Sequence, residues 1–374
     1  MPTRRTARKQ QRSSDENSEV IDSFNATPDW AHNRRMGHEQ ERAFVLPLDL
    51  RASLFHWNGH ALRRCDSASI PRDAPWCADV ESDVLCYADG NKLFAVRGAL
   101  RDVAQTTLLF EGASAFRFHA LALKDGVLFA GGQCEMEVVG AIDLQATVPA
   151  WRRLDLPAEL RHPGKSVDSF VLDGDRLLAL DDILLPKWWF VYDVSDARRP
   201  AFMAAPPLAV HSTYETYHHA TLAHRHVVTV STSINHGLTR VHLAFFNRAD
   251  LAHLGAVTAV GGRVATRGRR APDGARDFVH VDALDERVVL SADREGCAMF
   301  DLRALDGLAA PASDGTRLAT NNAALASVVD ANVRWCKREG GAAVRAFFCG
   351  GAQVAVSWMR EDGGCWVELV SSAV

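Results

Sequence analysis

A tight turn followed by a short apolar run recurs six times in this chain, at intervals of roughly fifty residues, and that recurrence constrains the fold more than any other feature. The turns are Asp89-Gly90, Asp125-Gly126, Gly174-Asp175, His224-Arg225, Asp285-Glu286 and Gly350-Gly351. The runs that follow are Leu93 to Val96, Val127 to Ala130, Leu177 to Leu180, Val227 to Val230, Val288 to Leu290 and Val354 to Val356. The stretch from Val167 to Pro207 shows one unit whole: Phe170 to Leu172, the turn at Asp173-Gly174-Asp175, Arg176 to Leu180, then Trp188 to Val194. Gly174 supplies the positive φ of a tight hairpin, and Pro200, Pro206 and Pro207 keep the exit from becoming helix. Such a unit cannot bury both faces of its own sheet, so copies must stack. The pattern predicts an all-β chain folded as a single β-propeller of six to seven four-stranded blades.

In the last five units the third strand ends alike: Ala141-Ile142-Asp143-Leu144, Val191-Tyr192-Asp193-Val194, Phe245-Phe246-Asn247-Arg248, Met299-Phe300-Asp301-Leu302 and Trp366-Val367-Glu368-Leu369. The segment Phe190 to Asp196 followed by Arg199-Pro200 resembles the repeat core of the bacterial LVIVD-type propellers, and its strand ending is similar to that of WD-like repeats. The resemblance implies a propeller built of repeats, and it covers about a dozen residues of one blade.

Residues 1–40 are polar, with a basic start that the acidic residues after Ser14 largely cancel. They read as a disordered tail ahead of a propeller domain at 41–374, since they hold too little apolar area to offset ordering entropy. From Ala43 the alternation of Phe44, Leu46, Leu48 and Leu50, then a hairpin at Asn58-Gly59, offers either a first blade or a strand that closes the ring on the last blade. Only Asp250 to Leu254 and Asn321 to Val328 could form a turn or two of helix.

A formal net charge of −4 argues against nucleic acid as partner, and the lack of a run of about 18 apolar residues argues against a membrane span. Eight cysteines with no CxxC pair read as free thiols of a reducing compartment, so a cytoplasmic location is expected. No GxSxG, GxxxxGK[ST], HExxH or GxGxxG motif is present, and Gly131-Gly132 reads as a turn.

Candidate site residues come from aligning the units. Eight positions before Val127, Arg176 and His226 stand His119, Asp168 and His218, and seven before Arg287 stands His280. Equivalent positions on innermost strands converge on the central channel, so these residues and the neighbouring His219 are predicted to line it. His119, Asp168 and His218 offer two imidazoles and a carboxylate to a divalent metal, and the alternative is that they hydrogen-bond neighbouring blades. Trp188 and Trp189 face opposite sides of a strand, so at least one packs between blades; the other either packs in the core as well or anchors a partner at the rim. Arg267, Arg269 and Arg270, in a glycine-containing loop, are candidates for binding phosphate or an acidic protein partner, the alternative being a solvated loop.

Two functions follow. The first is a non-catalytic scaffold without cofactor that presents its faces to a protein or peptide partner. The second is a metal-dependent hydrolase or lyase with its site at the channel mouth.

Overall fold

The computed structural model describes residues 41–371, apart from 49–50, 72–73, 102, 134–138, 161–165, 182–187, 207–214, 236–237, 263–278, 293–295, 306–332, 351–352 and 361–363. Helix among the described residues amounts to three 3-10 turns, Ala99–Arg101, Ala158–Leu160 and Leu302–Leu305. Everything else regular is antiparallel strand, in seven sheets that follow one another along the chain. Blades 1 to 7 occupy residues 42–71, 76–111, 117–153, 167–204, 215–262, 279–336 and 341–371. Blades 2 to 6 have four strands in simple up-and-down order, and blades 1 and 7 show three.

The first strand of each blade is innermost and packs against the first strand of the next. Seven apolar clusters each fill one gap between neighbouring blades, so burial is distributed around the ring rather than held in a single core. The gap between blades 3 and 4, for example, holds Val127, Phe129 and Ile142's neighbour Ala141 from one sheet and Leu177, Phe190 and Tyr192 from the other. Each sheet is thereby apolar on both faces, which is why the sequence shows short continuous apolar runs rather than strict alternation.

The N-terminal strand settles the blade number. Arg42–Leu48 pairs with Arg51–Trp57 and starts a blade of its own. It adds no strand to the last sheet among the described residues, so the closing-strand alternative is not what the chain adopts. Closure is made by side chains instead. Phe44 stacks on Phe347 at 5.2 Å, and Ser357 Oγ donates to Pro47 O at 2.7 Å. The expected hairpin after Trp57 is present, with Gly59 at φ 95° and Asn58 Oδ1 accepting from His60 N and Ala61 N at 3.0 and 2.9 Å.

The recurring third-strand ending has a plain cause in four blades. Asp143, Asp193, Asn247 and Asp301 each accept, through Oδ1, the N–H two residues on, at 2.9, 2.8, 2.8 and 2.9 Å. The N–H just after each returns to the first turn of its own blade: Leu144 to Gly126 O, Val194 to Asp175 O, Arg248 to Arg225 O and Leu302 to Glu286 O. An Asx turn and a staple thus generate the motif. Glu368 is not its counterpart in blade 7. It lies opposite Val356 and pairs with Arg338, whereas Ser371 lies opposite the first residue of the second strand.

Three further expectations are corrected. Asp89-Gly90 joins the second and third strands of blade 2, not the first and second, because the short first strand Trp76–Asp79 precedes it. Asp250 to Leu254 enters the strand His253–Gly262 rather than a helix, while Asn321 to Val328 lies outside the described residues. Gly131-Gly132 is strand, within Val127–Gln133, and not a turn.

Candidate functional site

The sequence alignment of His119, Asp168 and His218 corresponds to a backbone feature. In blade 3 Phe118 lies opposite Gly132 and Ala120 opposite Gly131, which leaves His119 as the extra residue of a β-bulge. Asp168 is skipped in the same way between Val167 and Ser169, and His218 between Tyr217 and His219. A bulge re-aims its extra side chain out of the strict alternation of the strand, as it does for His119 and Asp168, and the backbone bulge recurs at the same height in blade 5. Gly131 and Gly132 permit the close approach: a Cβ on Gly132 would sit 1.9 Å from Arg117 O.

His280 belongs elsewhere. Its strand, Val279–Leu284, has no bulge, and His280 lies opposite Ser291. Its counterparts are therefore Ala120, Ser169 and His219, which removes the one-residue offset in the sequence alignment. The structure joins His280 to His219, ring centroids 4.4 Å apart, and then to Phe347 at 4.5 Å.

Two polar groupings result. The first links blades 3 and 4. His119 Nδ1 lies 2.7 Å from Asp168 Oδ1, and Ser166 Oγ donates to the same carboxylate oxygen at 2.8 Å. Asp168 is 8% exposed and its carboxylate accepts, so His119 carries its proton on Nδ1. The second grouping consists of His219, His280, Arg345, Asp282 and Arg42, from blades 5, 6, 7 and 1. Burial, with the Arg345 cation nearby, holds His219 down at about 4 and pushes His280 well below the ordinary imidazole value. Both rings are neutral at pH 7, and among the described residues the buried Nδ1 atoms of both find no hydrogen-bond partner.

Asp282 receives Arg42 in a two-pronged pair, Nη1 to Oδ2 at 3.0 Å and Nη2 to Oδ1 at 3.1 Å. Arg42 Nη1 also donates to Phe348 O at 2.8 Å, and Phe348 N donates to Asp282 Oδ2 at 2.9 Å. One carboxylate therefore ties blades 1, 6 and 7 together where the ring closes.

Among the described residues no group of three histidine, cysteine, aspartate or glutamate side chains is gathered closely enough to hold a metal ion. The side chain of His218 lies outside the described residues, as do Arg267, Arg269 and Arg270. His119 and Asp168 engage each other directly, which suits a carboxylate that orients an imidazole better than two ligands side by side. Trp189 is fully buried and meets Phe246 edge-on at 5.6 Å, in the gap between blades 4 and 5. Trp188 is half-buried against the gap between blades 3 and 4. Ser166, Arg42, Asp282 and Arg345 were not singled out by the sequence, since nothing in their local pattern marks a contact across 240 residues such as that between Arg42 and Asp282.

The ring as a whole resembles solved propellers. It matches hydrazine synthase from Kuenenia stuttgartiensis with a TM-score of 0.59 at 9% identity, over 92% of this chain and 99% of that one. It matches Raptor from Chaetomium thermophilum with a TM-score of 0.52 at 10% identity, over 91% of this chain and 28% of that one. At such identities the likeness is one of fold. No family model matches the chain, and no curated protein matches its sequence.

Proposed function

We propose that the protein is a propeller scaffold that binds a protein or peptide partner along the outer rim of blades 2 to 4. The carrying observation is that the large apolar side chains most exposed among the described residues all lie there: Val103 at 70%, Leu108 at 49%, Val148 at 76% and Met203 at 56%. Leu108 stands on the outer strand Gln105–Glu111 of blade 2, which among the described residues is paired on one side only and contains no lysine, arginine or proline. Natural edges are usually blunted by such residues, as the outer strand Arg152–Arg153 of blade 3 is. An open edge beside apolar side chains suits an extended peptide that adds a strand and sets its own apolar side chains on the rim. The free cysteines fit a reducing, cytoplasmic setting for such a protein.

A peptide-display selection against the full chain tests this. Enriched peptides should alternate apolar and polar residues and lose binding to Leu108→Lys, whose melting temperature should match that of the wild type. Enrichment indifferent to Leu108→Lys and Met203→Lys, or no enrichment at all, would sink the reading.

The orientation of His119 by Asp168 favours a second reading, a metal-dependent hydrolase or lyase. A carboxylate on Nδ1 is the support that metal-ligating imidazoles carry, and it leaves Nε2 to bind. Elemental analysis of the purified protein decides it: stoichiometric metal that disappears in His119→Ala supports this reading, and background metal in the wild type removes it.

A further inference from the structure

On the face that carries the turns between first and second strands, blades 4 and 5 line an open cleft of about 550 Å³. That volume lies within the range of small-molecule sites, roughly 300–1,000 Å³. Its walls include Arg176, Arg225 and Arg248, with Asp173 the one acidic residue among those that line it. Two of the guanidiniums are held in place. Arg248 donates to Asp173 Oδ1 through Nε and Nη2 at 2.8 and 2.5 Å, and to His224 O through Nη1 at 2.8 Å. Arg176 donates to the other carboxylate oxygen of Asp173 through Nη2, and to Ala249 O through Nη1 at 3.0 Å. One carboxylate thus faces two fixed cations, and Arg225 at the exposed rim adds a third.

The repeat does not ask for this charge. Arg248 occupies the staple position that is Leu144, Val194 and Leu302 in blades 3, 4 and 6. His224-Arg225 occupies the turn that carries Asp125, Asp175 and Asp285-Glu286 in those blades. Blade 5 therefore departs from its neighbours twice, both times toward positive charge and both times on the wall of one cavity. Departures from an otherwise consistent pattern are where function is placed.

We propose that the cavity between blades 4 and 5 binds a compact oxyanion, a phosphate or carboxylate group of a small molecule. Guanidiniums already ordered by Asp173 and backbone carbonyls lose little further freedom when an anion arrives. On the blade 6 side His224 N donates to Asp285 O, which sets the acidic Asp285-Glu286 turn beside the cavity, where it disfavours a long polyanion. The site is independent of the rim of blades 2 to 4, so either can fail without the other.

Isothermal titration calorimetry of the full chain with inorganic phosphate, and separately with a ten-residue glutamate peptide, tests the assignment. Phosphate should bind saturably, more weakly at 0.15 M than at low ionic strength because the charges are screened over about 8 Å. Arg225→Glu should lose at least about tenfold in affinity, as expected when a charge-assisted contact is replaced by repulsion. Arg225→Gln should fall between the two, and it serves as the test if the reversal fails to fold. Absence of saturable phosphate binding, equal binding by the Arg225 variants, or tighter binding of the glutamate peptide would each overturn the proposal.

Discussion

Asp282→Ala is the perturbation that asks most directly how the ring is closed. The substitution strips Arg42 of both carboxylate contacts, at 3.0 and 3.1 Å, and strips Phe348 N of its acceptor at 2.9 Å. Removing one partner of a buried ion pair costs about 3–5 kcal/mol, because the other charge stays behind. The Arg42 side chain is 25% exposed and keeps Phe348 O as an acceptor, so the lower end, about 3 kcal/mol, is expected. For a chain of this size, with an unfolding entropy on the order of 0.7 kcal/mol/K, that is a fall of about 4 °C in Tm. Urea titration followed by tryptophan fluorescence gives the same quantity at constant temperature. The double variant Arg42→Met/Asp282→Ala removes the stranded cation and should recover about half of the loss, a coupling that a double-mutant cycle isolates. A loss below about 1 kcal/mol in Asp282→Ala, or single-variant losses that simply add, would show that packing of Phe44 on Phe347 closes the ring without the ion pair.

Trp189→Ala should cost about 3–5 kcal/mol, since the ring is wholly buried against Phe246, and Trp188→Ala clearly less; equal, small losses in urea would contradict the packing. Stability should fall on acidification through His219. Its folded pKa of about 4 lies below the ordinary 6.5, so the folded chain takes up its proton later than the unfolded chain. The full contribution is present above pH 6.5, about 2 kcal/mol is gone by pH 5, and the decline ends below pH 4. His219→Gln should flatten that slope, and an unchanged slope would mean the ring is hydrated in the native state. Burial pushes the Cys349 thiol up to about 12 and Cys77 well above the ordinary value. Iodoacetamide at pH 8 should therefore modify them in urea but not in the native protein, as peptide mass mapping would read.

How much of this was legible beforehand differs by kind of contact. The propeller, the hairpin turns of blades 3 to 6 and the strand positions of His119, Asp168 and His218 follow from local chemistry: glycine and aspartate where φ turns positive, apolar runs where both sheet faces are covered, Asx residues where a strand ends. A repeat makes such signals additive, because an error in one unit is exposed by the next. The bulges, by contrast, shift pairing by one residue without any mark in the residues themselves, so only the fold could separate His280 from His119 and join it to His219. The same holds for ring closure and for the basic cavity. Arg42 and Asp282 are 240 residues apart, and Arg248 and Asp173 are 75 apart. Local sequence specifies which residues form a strand and which a turn; which charged side chain meets which depends on the angle at which one blade is set against another, and that is decided only when all seven close.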